Sequence, residues 1–280
     1  MPFTVNTNMA ASNALNKLGQ TTHKLGGAFE RISSGLRINK ASDDAAGLGM
    51  AENLDAEARG LRQAMRNAND GVSVIEVAEG AHGEVSNLVK RMRELAVQSS
   101  SETLADTERT YIQSEFTELS AEVERIAQVT EFNGQKIADG GAASGLTQLN
   151  VQVGVNDSAN DRIAIKITDL RATALGVDTG SIDLSTAAGA QTALTSLDTA
   201  LDTLNTSRSD LGSVQSRLES AMRNLGTYTE HVEGAQSRIR DADFAYETAQ
   251  MSKFQIMQQA GVAVLGQANQ LNQGALRLLG

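Results

Sequence analysis

Apolar residues recur in alternating steps of three and four along most of the chain, which is the spacing of helices that pack along a coiled-coil seam. The longest such stripe runs through residues 194–232. It predicts one helix over residues 190–236, about 70 Å long at 1.5 Å per residue. Two further stripes lie at 75–96 and 112–126. Three helices striped in this way can bury one another, so the pattern predicts a rod-like helical bundle in the middle of the chain.

Both ends of the chain carry the same spacing. The N-terminal stripe includes Leu15, Leu18, Leu25, Phe29, Ile32 and Leu36, and the C-terminal stripe includes Phe254, Met257, Val264, Leu271 and Leu278. Each stripe is short and rich in small or polar residues, and an isolated helix of this kind is marginal in water. We therefore expect both ends to be disordered in an isolated subunit and to become helical when they meet a partner.

One segment changes to a period of two. Leu149, Val151, Val153 and Val155 alternate with polar residues, as do Ile163, Ile165 and Ile167. Residues 156–161 between them are turn-forming or tolerate turns. The pattern predicts a β-hairpin near residues 149–168.

The composition limits the kinds of fold available to these 280 residues. Aromatic residues make up only 3%, and aromatic side chains usually dominate a thick globular core. The single proline is Pro2, so no internal proline interrupts a long helix. Cysteine is absent, which excludes disulfides, thiolate metal sites and a cysteine nucleophile. The apolar runs are too short to insert into a membrane, and the N-terminus lacks the pattern of a general secretory signal.

Charge is unevenly distributed along the chain. Of the net charge of −10, residues 41–235 carry −15 and the two ends together carry +5. An acidic middle segment argues against nucleic acid as a partner, because phosphates require a basic surface. The last 35 residues contain only Glu247, Lys253 and Arg277 as charged groups. A segment with so few charges can be buried against other molecules.

The sequence contains no arrangement of residues that indicates catalysis. Its three histidines are far apart and lack metal-ligand spacing, and His82 falls on a core stripe, which favours a satisfied buried histidine. Gly47 and Gly49 lack the third glycine and the preceding strand of a dinucleotide loop. The hairpin tip lacks the spaced acceptors of a calcium loop. We predict that the protein is not an enzyme and has no catalytic, cofactor-binding or metal site.

Short runs with a distinctive sequence lie at both ends of the chain and beside the hairpin. They are SSGLRIN at 33–39, ASDDAAG at 41–47, RNANDG at 66–71, RELAVQS at 93–99, FNG at 132–134, VQVGVN at 151–156, SRIRDAD at 237–243, QQAG at 258–261 and QANQ at 267–270. In this order, and over essentially the whole chain, they resemble bacterial flagellin.

The resemblance implies a domain organisation. In flagellins the two termini pair with each other as coiled-coil arms that line the inner tube of the filament, and a helical rod with a β-hairpin surrounds that tube. We therefore expect an N-terminal arm at 1–44, a rod at 45–235 and a C-terminal arm at 236–280. Larger members insert variable outer domains, whereas the hairpin here is followed closely by the long helix. The chain thus resembles a minimal flagellin.

The resemblance also implies a function. We expect a structural subunit that self-assembles through its arms into the flagellar filament and serves motility, with the terminal stripes packing in the filament core. Export through the flagellum's own type III channel would place it outside the cell. The expected partners are other copies, the flagellar cap and junction proteins, and an export chaperone on the C-terminal arm, anchored around Phe254, Met257, Val264 and Leu271.

A recognition role is a second implication. In many flagellins an arginine and a leucine of the run before residue 99, with a glutamate on the next helix, are recognised by a vertebrate Toll-like receptor. The matching residues are Arg91, Leu95 and Glu115. The alternative is that Leu95 packs between subunits and that Arg91 and Glu115 are surface charges.

Two other functions stay open at the level of sequence. A hook–filament junction protein of the same superfamily shares arms and rod but caps a boundary and does not elongate a filament. An enzyme built on a flagellin-like scaffold would need a catalytic insert, for which the central region has neither the length nor a metal motif.

Overall fold

The chain is mainly helical in the computed structural model, which describes residues 8–141, 148–166 and 168–277 and, within them, side chains up to residue 270. The helices are α1 (Met9–Ser34), α2 (Ala45–Ser99), α3 (Asp106–Val129), α4 (Ala172–Leu175), α5 (Ala187–Arg240) and α6 (Phe244–Arg277). The strands are β1 (Glu131–Phe132), β2 (Gln135–Lys136), β3 (Gln148–Gln152) and β4 (Arg162–Lys166). The predicted fold class, with long helices, a small hairpin and paired terminal helices, is confirmed.

The chain forms two compact units. One combines Met1–Ala58 with Glu230–Gly280, and the other is Arg59–Thr229. These boundaries lie inside α2 and α5, whereas the sequence suggested boundaries at 44/45 and 235/236. The role of the terminal segments as arms around a rod stays a prediction.

Side-chain contacts explain why the first unit includes the start of α2 and the end of α5. Arg240 Nη1 lies 3.3 Å from Glu52 Oε1, and Gln236 Nε2 lies 3.5 Å from Asp55 Oδ1. These contacts join the last turns of α5 to the first turns of α2, so both helix ends belong to the same unit as α1 and α6.

The unit Arg59–Thr229 is built on the predicted stripes. Every apolar position of the 75–96 stripe is buried, and His82 is buried with them. On α5, Leu197, Leu204 and Leu218 are fully buried, while Arg208 on the same stripe is exposed and pairs with Glu79 at 3.3 Å. The helical part of this unit therefore follows from the apolar pattern.

The longer hairpin pairs β3 with β4 in antiparallel register, with Leu149 opposite Ile165 and Val151 opposite Ile163. It lies close against α2 because residue 71 is a glycine: a Cβ there would be 3.0 Å from Val151 Cγ2. The predicted hairpin is confirmed up to Lys166, and Ile167 lies outside the described residues.

A second, smaller hairpin joins β1 to β2, which the sequence analysis did not predict. Its two central residues, Asn133 and Gly134, have φ values of 50° and 77°. Positive φ at both positions is the geometry of a tight two-residue hairpin turn, for which Asn-Gly is a strongly preferred pair. The FNG run that carried part of the family resemblance therefore has a local structural reason.

The loop between α2 and α3 is held by one buried arginine. The Arg109 guanidinium donates hydrogen bonds to the backbone carbonyls of Ser99, Ser101 and Leu104, at 3.2, 2.7 and 3.2 Å. The last carbonyls of a helix have no partner within the helix. Arg109 therefore supplies the donor that the end of α2 requires.

Candidate functional site

The two terminal helices begin with well-formed caps. Asn8 Oδ1 accepts a hydrogen bond from the Ala11 N–H at 3.0 Å, which is a typical cap at the start of α1. Asp243 Oδ1 accepts from the N–H groups of Ala245 and Tyr246, at 2.9 and 3.1 Å, at the start of α6. Both helices are therefore specified locally by polar residues placed just before their first turn.

The helices α1 and α6 pack against each other in antiparallel orientation. Each end therefore meets a partner helix within its own chain, which differs from the expectation that both ends are disordered in an isolated subunit. Asn8 Nδ2 donates to the Ala268 carbonyl at 3.0 Å at one end, and Arg31 pairs with Glu247 at 2.8 Å at the other. Between these points, a Cβ on Gly261 would lie 3.2 Å from Leu18 Cδ1. The facing residues alternate between small and larger side chains. On α1 they are Ala11, Ala14, Leu18, Thr21, Leu25, Ala28 and Ile32.

The predicted N-terminal stripe is only partly on this contact. Leu18, Leu25, Ile32 and Leu36 are half-buried, but Leu15 and Phe29 are 57% and 64% exposed. At alternate steps the contact uses the smaller neighbour one position earlier, such as Ala28 next to Phe29. Small residues allow the helices to approach, and the large ones are turned outward.

The C-terminal stripe departs in the same way. Phe254 is half-buried, whereas Met257 and Val264 are exposed because Gln258 and Leu265 take the inward positions. The side chain of Leu271 and the whole of Leu278 lie outside the described residues. The packing of these residues in a filament core stays a prediction, since exposure in one chain does not decide it.

The unit that contains α1 and α6 exposes many large apolar side chains. A single exposed apolar residue needs no explanation, but repeated ones along a helix mark an interaction surface. The exposed members on these two helices are Met9, Leu15, Phe29, Phe244, Tyr246, Ile256, Met257, Val262 and Val264.

The three candidate recognition residues do not share one surface. Arg91 Nη2 donates to Glu115 Oε1 at 2.8 Å, and both side chains are about half exposed; Glu94, which also accepts from Arg91, is 68% exposed. These hydrogen bonds raise the pKa of Arg91, with Glu115 as the main cause. Leu95, in contrast, is 2% exposed and packs inside the core of its own unit. The prediction that Leu95 packs between subunits is therefore wrong.

His82 is held neutral in the core. Its Nδ1 lies 2.7 Å from the Ala78 carbonyl, which can only accept, so Nδ1 carries the proton and Nε2 accepts from Ser207 Oγ at 2.8 Å. Ser207 also bonds to Thr168 at 2.6 Å. Burial lowers the pKa of His82 because it penalises the charged ring. The prediction of a satisfied core histidine is consistent with all of these contacts.

Stability should therefore depend on pH through His82. Below the ordinary pKa of 6.5 the unfolded chain binds a proton that the folded chain does not, so stability is present above that pH and is lost as pH falls. We expect His82→Gln to flatten the fall in unfolding free energy below pH 6.5, measured by urea unfolding at several pH values. The exposed His23→Gln is the control. An unchanged slope in His82→Gln would contradict the assignment.

The described residues contain no cluster of acidic or histidine side chains that could hold a metal ion. At the hairpin tip, Asp157 pairs with Arg162, and Asp161 accepts from Ser158 at 2.7 Å, so these carboxylates are already engaged. Asp43, in the loop after α1, accepts from the backbone N–H groups of Lys40 and Asn39, which lower its pKa. Among the described helices, none has a long enough apolar stretch to cross a membrane.

Two protein-family models match this chain. Residues 5–143 match the model of the bacterial flagellin N-terminal helical region, and residues 194–279 match that of the bacterial flagellin C-terminal helical region. Together they cover most of the chain, and no variable outer domain is evident between them.

Individual proteins agree with the family models. A flagellin of Halalkalibacterium halodurans is 41% identical over 275 residues, covering 98% of this chain and 99% of its own length. The flagellar filament 33 kDa core protein of Treponema phagedenis is 39% identical over 283 residues, with the same coverage of both chains. The crystal structure of Bacillus cereus flagellin is 32% identical with a TM-score of 0.50, covering 57% of this chain and 88% of its own.

Proposed function

This chain belongs to the bacterial flagellin family, and we propose that it joins neighbouring subunits through the outward apolar residues of α1 and α6. It is a structural filament subunit and not an enzyme. The models and relatives described above are of flagellin and filament proteins, so they do not favour the junction-protein alternative. The new element in the proposal is which residues make the contacts between subunits.

One observation carries the proposal. The contact between α1 and α6 within the chain uses small residues such as Ala11 and Ala28, while larger ones such as Phe29 and Val264 point outward. The apolar area left on the outside is therefore available to other copies. Such contacts join different surfaces of successive subunits, and contacts of that kind that do not close into a ring generate a helical filament.

The polar residues of α6 suit burial among other subunits. Seven glutamines lie between Gln250 and Gln273, and the segment 246–280 contains only three charged residues. Neutral amides can hydrogen-bond inside a packed tube, whereas unpaired charges there would be strongly unfavourable. Because α1 and α6 already pair within one chain, assembly has to offset the conformational entropy lost by the side chains that become fixed between subunits.

Seeded polymerisation tests the proposal. Full-length subunits, heated to monomers and cooled with filament seeds, should form long filaments visible by electron microscopy. A chain lacking residues 246–280 should stay soluble and fail to elongate the seeds, because it has lost one of the two terminal helices. Normal filaments from the truncated chain would contradict the proposal, and failure of the full chain to elongate would favour a junction protein.

The same helices bear on export. We infer that the subunit leaves the cell through the flagellar channel and is extracellular in the filament. Cap and junction proteins would contact the subunits at the two ends of that filament. An export chaperone would bind α6 as an amphipathic helix in a groove. Met257 and Val264 are exposed and available to it. Chaperone binding should be lost when residues 236–280 are removed.

Recognition by a vertebrate Toll-like receptor is a further proposal, now limited to Arg91 and Glu115. Their ion pair is exposed, which supports a surface role, whereas Leu95 can contribute only by supporting α2 from the core. We expect Arg91→Ala to reduce activation in a receptor reporter assay. Arg93→Ala, at another exposed ion pair, is the control. Full activation by Arg91→Ala would remove this proposal.

A further inference from the structure

We propose that the ion pair between Arg31 and the buried Glu247 selects the partner and the register with which α1 and α6 pair. The inference rests on the proposed function, since it treats this helix pair as the unit that assembles. Arg31 Nε lies 2.8 Å from Glu247 Oε1, and the side chain of Glu247 is only 6% exposed. Neither residue belongs to the apolar stripes of the terminal segments.

The apolar contact cannot define the register alone because it repeats. On α1 the residues at 14, 21 and 28 are alanine, threonine and alanine, and those at 18, 25 and 32 are leucine, leucine and isoleucine. Sliding α6 by one heptad, about 10 Å along the axis, therefore exchanges each residue for a similar one. Wherever the two helices still overlap, the side chains that α1 turns toward α6 are therefore similar in each register.

Glu247 distinguishes the observed register of α1 and α6 from the slipped ones. Its Oε2 is buried and has no hydrogen-bond partner in the part of the chain that the structure describes, so the carboxylate depends on Arg31. A buried charge without a partner is strongly destabilising. Any helix laid on this face of α6 without a cation at that level is therefore disfavoured. A second copy of α6 laid parallel and in register would bring another Glu247 to this level.

Stability alone does not explain the pair. Replacing a buried ion pair by apolar residues of similar volume is often neutral or stabilising, whereas one unmatched partner is harmful. A position in the first turn of α6 favours an acidic residue, but that does not require burial. Selection of the partner is the property that an apolar pair at these positions would lose.

Two lysines of α1 could replace Arg31 as the partner of Glu247 if the helices slipped, so it matters that the residue at 31 is an arginine. Lys17 and Lys24 occupy the same heptad position as Arg31, fourteen and seven residues earlier, and both are exposed. A slip by one heptad would bring Lys24 to Glu247. Lysine is a compact and strongly hydrated charge, whereas the guanidinium is more weakly hydrated and offers several donors in a fixed plane. Burial beside Glu247 therefore favours Arg31.

The cysteine-free chain allows the register to be measured directly. Thr22 Oγ1 and Gln258 Nε2 lie 3.5 Å apart, so Thr22→Cys with Gln258→Cys reports the observed register through a disulfide. Thr22→Cys with Met251→Cys, or with Leu265→Cys, reports a slip of one heptad in either direction. In the native background only the first pair should cross-link. In the double variant Arg31→Met/Glu247→Met, the disulfide yield of the two slipped pairs should rise from background to a level comparable with that of the 22–258 pair.

Two further variants control for charge and for general damage. Arg31→Glu/Glu247→Arg should restore the single register, while Arg93→Met/Asp198→Met, at an exposed ion pair of the other unit, should not change it.

If Arg31→Met/Glu247→Met keeps only the 22–258 cross-link, the backbone bridge between Leu36 and Asp241 sets the register and the proposal is wrong. Slipped cross-links that persist in the charge-reversed variant would also overturn it. Failure of native subunits to elongate seeds would count against the proposed function instead, because the cross-links are read within single chains.

Discussion

Replacing Phe116 by alanine is expected to lower the free energy of unfolding by about 3–5 kcal/mol, as for other buried phenyl rings. Phe116 is fully buried on α3 and belongs to the apolar cluster that α2 and α5 also form. Its removal both loses apolar burial and leaves a cavity, because a packed core relaxes only in part. Urea unfolding of full-length monomers, followed by circular dichroism, measures the change.

The same helix provides a matched control for Phe116→Ala. Tyr111 is also aromatic but is 76% exposed, so Tyr111→Ala should change the unfolding free energy by no more than about 0.5 kcal/mol. Equal losses from both variants would mean that aromatic content, and not the buried position, determines stability. That result would contradict the packing described for α3.

The middle of the fold was predictable because its period is unambiguous. In α5 the buried leucines recur every seven residues over many turns, and the partner helices show the same period. The hairpin was predictable for a similar reason, since Val151 and Ile163 lie on strands with a clear alternation. Long segments that bury one face within their own chain leave a direct record in the sequence.

The faces of the terminal helices were harder to predict because these helices carry two adjacent apolar stripes. A search for large residues selects Phe29, while the contact within the chain uses Ala28. Small residues give a weak hydrophobic signal although they permit the closest packing. The apolar pattern therefore located the helices, and the family resemblance implied their pairing, but the predicted stripes mixed the residues that face the partner helix with those that point outward.

Residues that act through a specific neighbour were not predictable from one sequence. Leu95 was assigned to a surface by resemblance, but the helical period of α2 places it in the core beside Met92 and Ala96. Glu247 shows no distinguishing pattern until α1 places Arg31 against it. Burial of Glu247 by a distant segment is a tertiary property without a local signal, whereas the core position of Leu95 follows from the period of α2 and contradicts the resemblance.

Replacing Phe29 by serine is expected to raise the concentration of free subunit in equilibrium with filaments by about 10- to 150-fold. Phe29 points away from α6 in the single chain. Full burial of such a side chain against a neighbouring copy contributes about 1.5–3 kcal/mol, which the serine variant would lose on assembly. The monomer should keep its thermal stability, since the ring is already exposed to water there. Sedimentation of seeded filaments at several protein concentrations gives the free-subunit concentration.

Gln20→Ser on the same helix is the matched control, because it shortens an exposed polar side chain and removes little apolar area. It should leave the free-subunit concentration nearly unchanged. Unaltered assembly of Phe29→Ser would show that this face of α1 is not buried between subunits. A fall in monomer stability equal to the loss in assembly would show instead that Phe29 acts within its own chain. Only a change confined to assembly supports the outward apolar residues as the contact between copies.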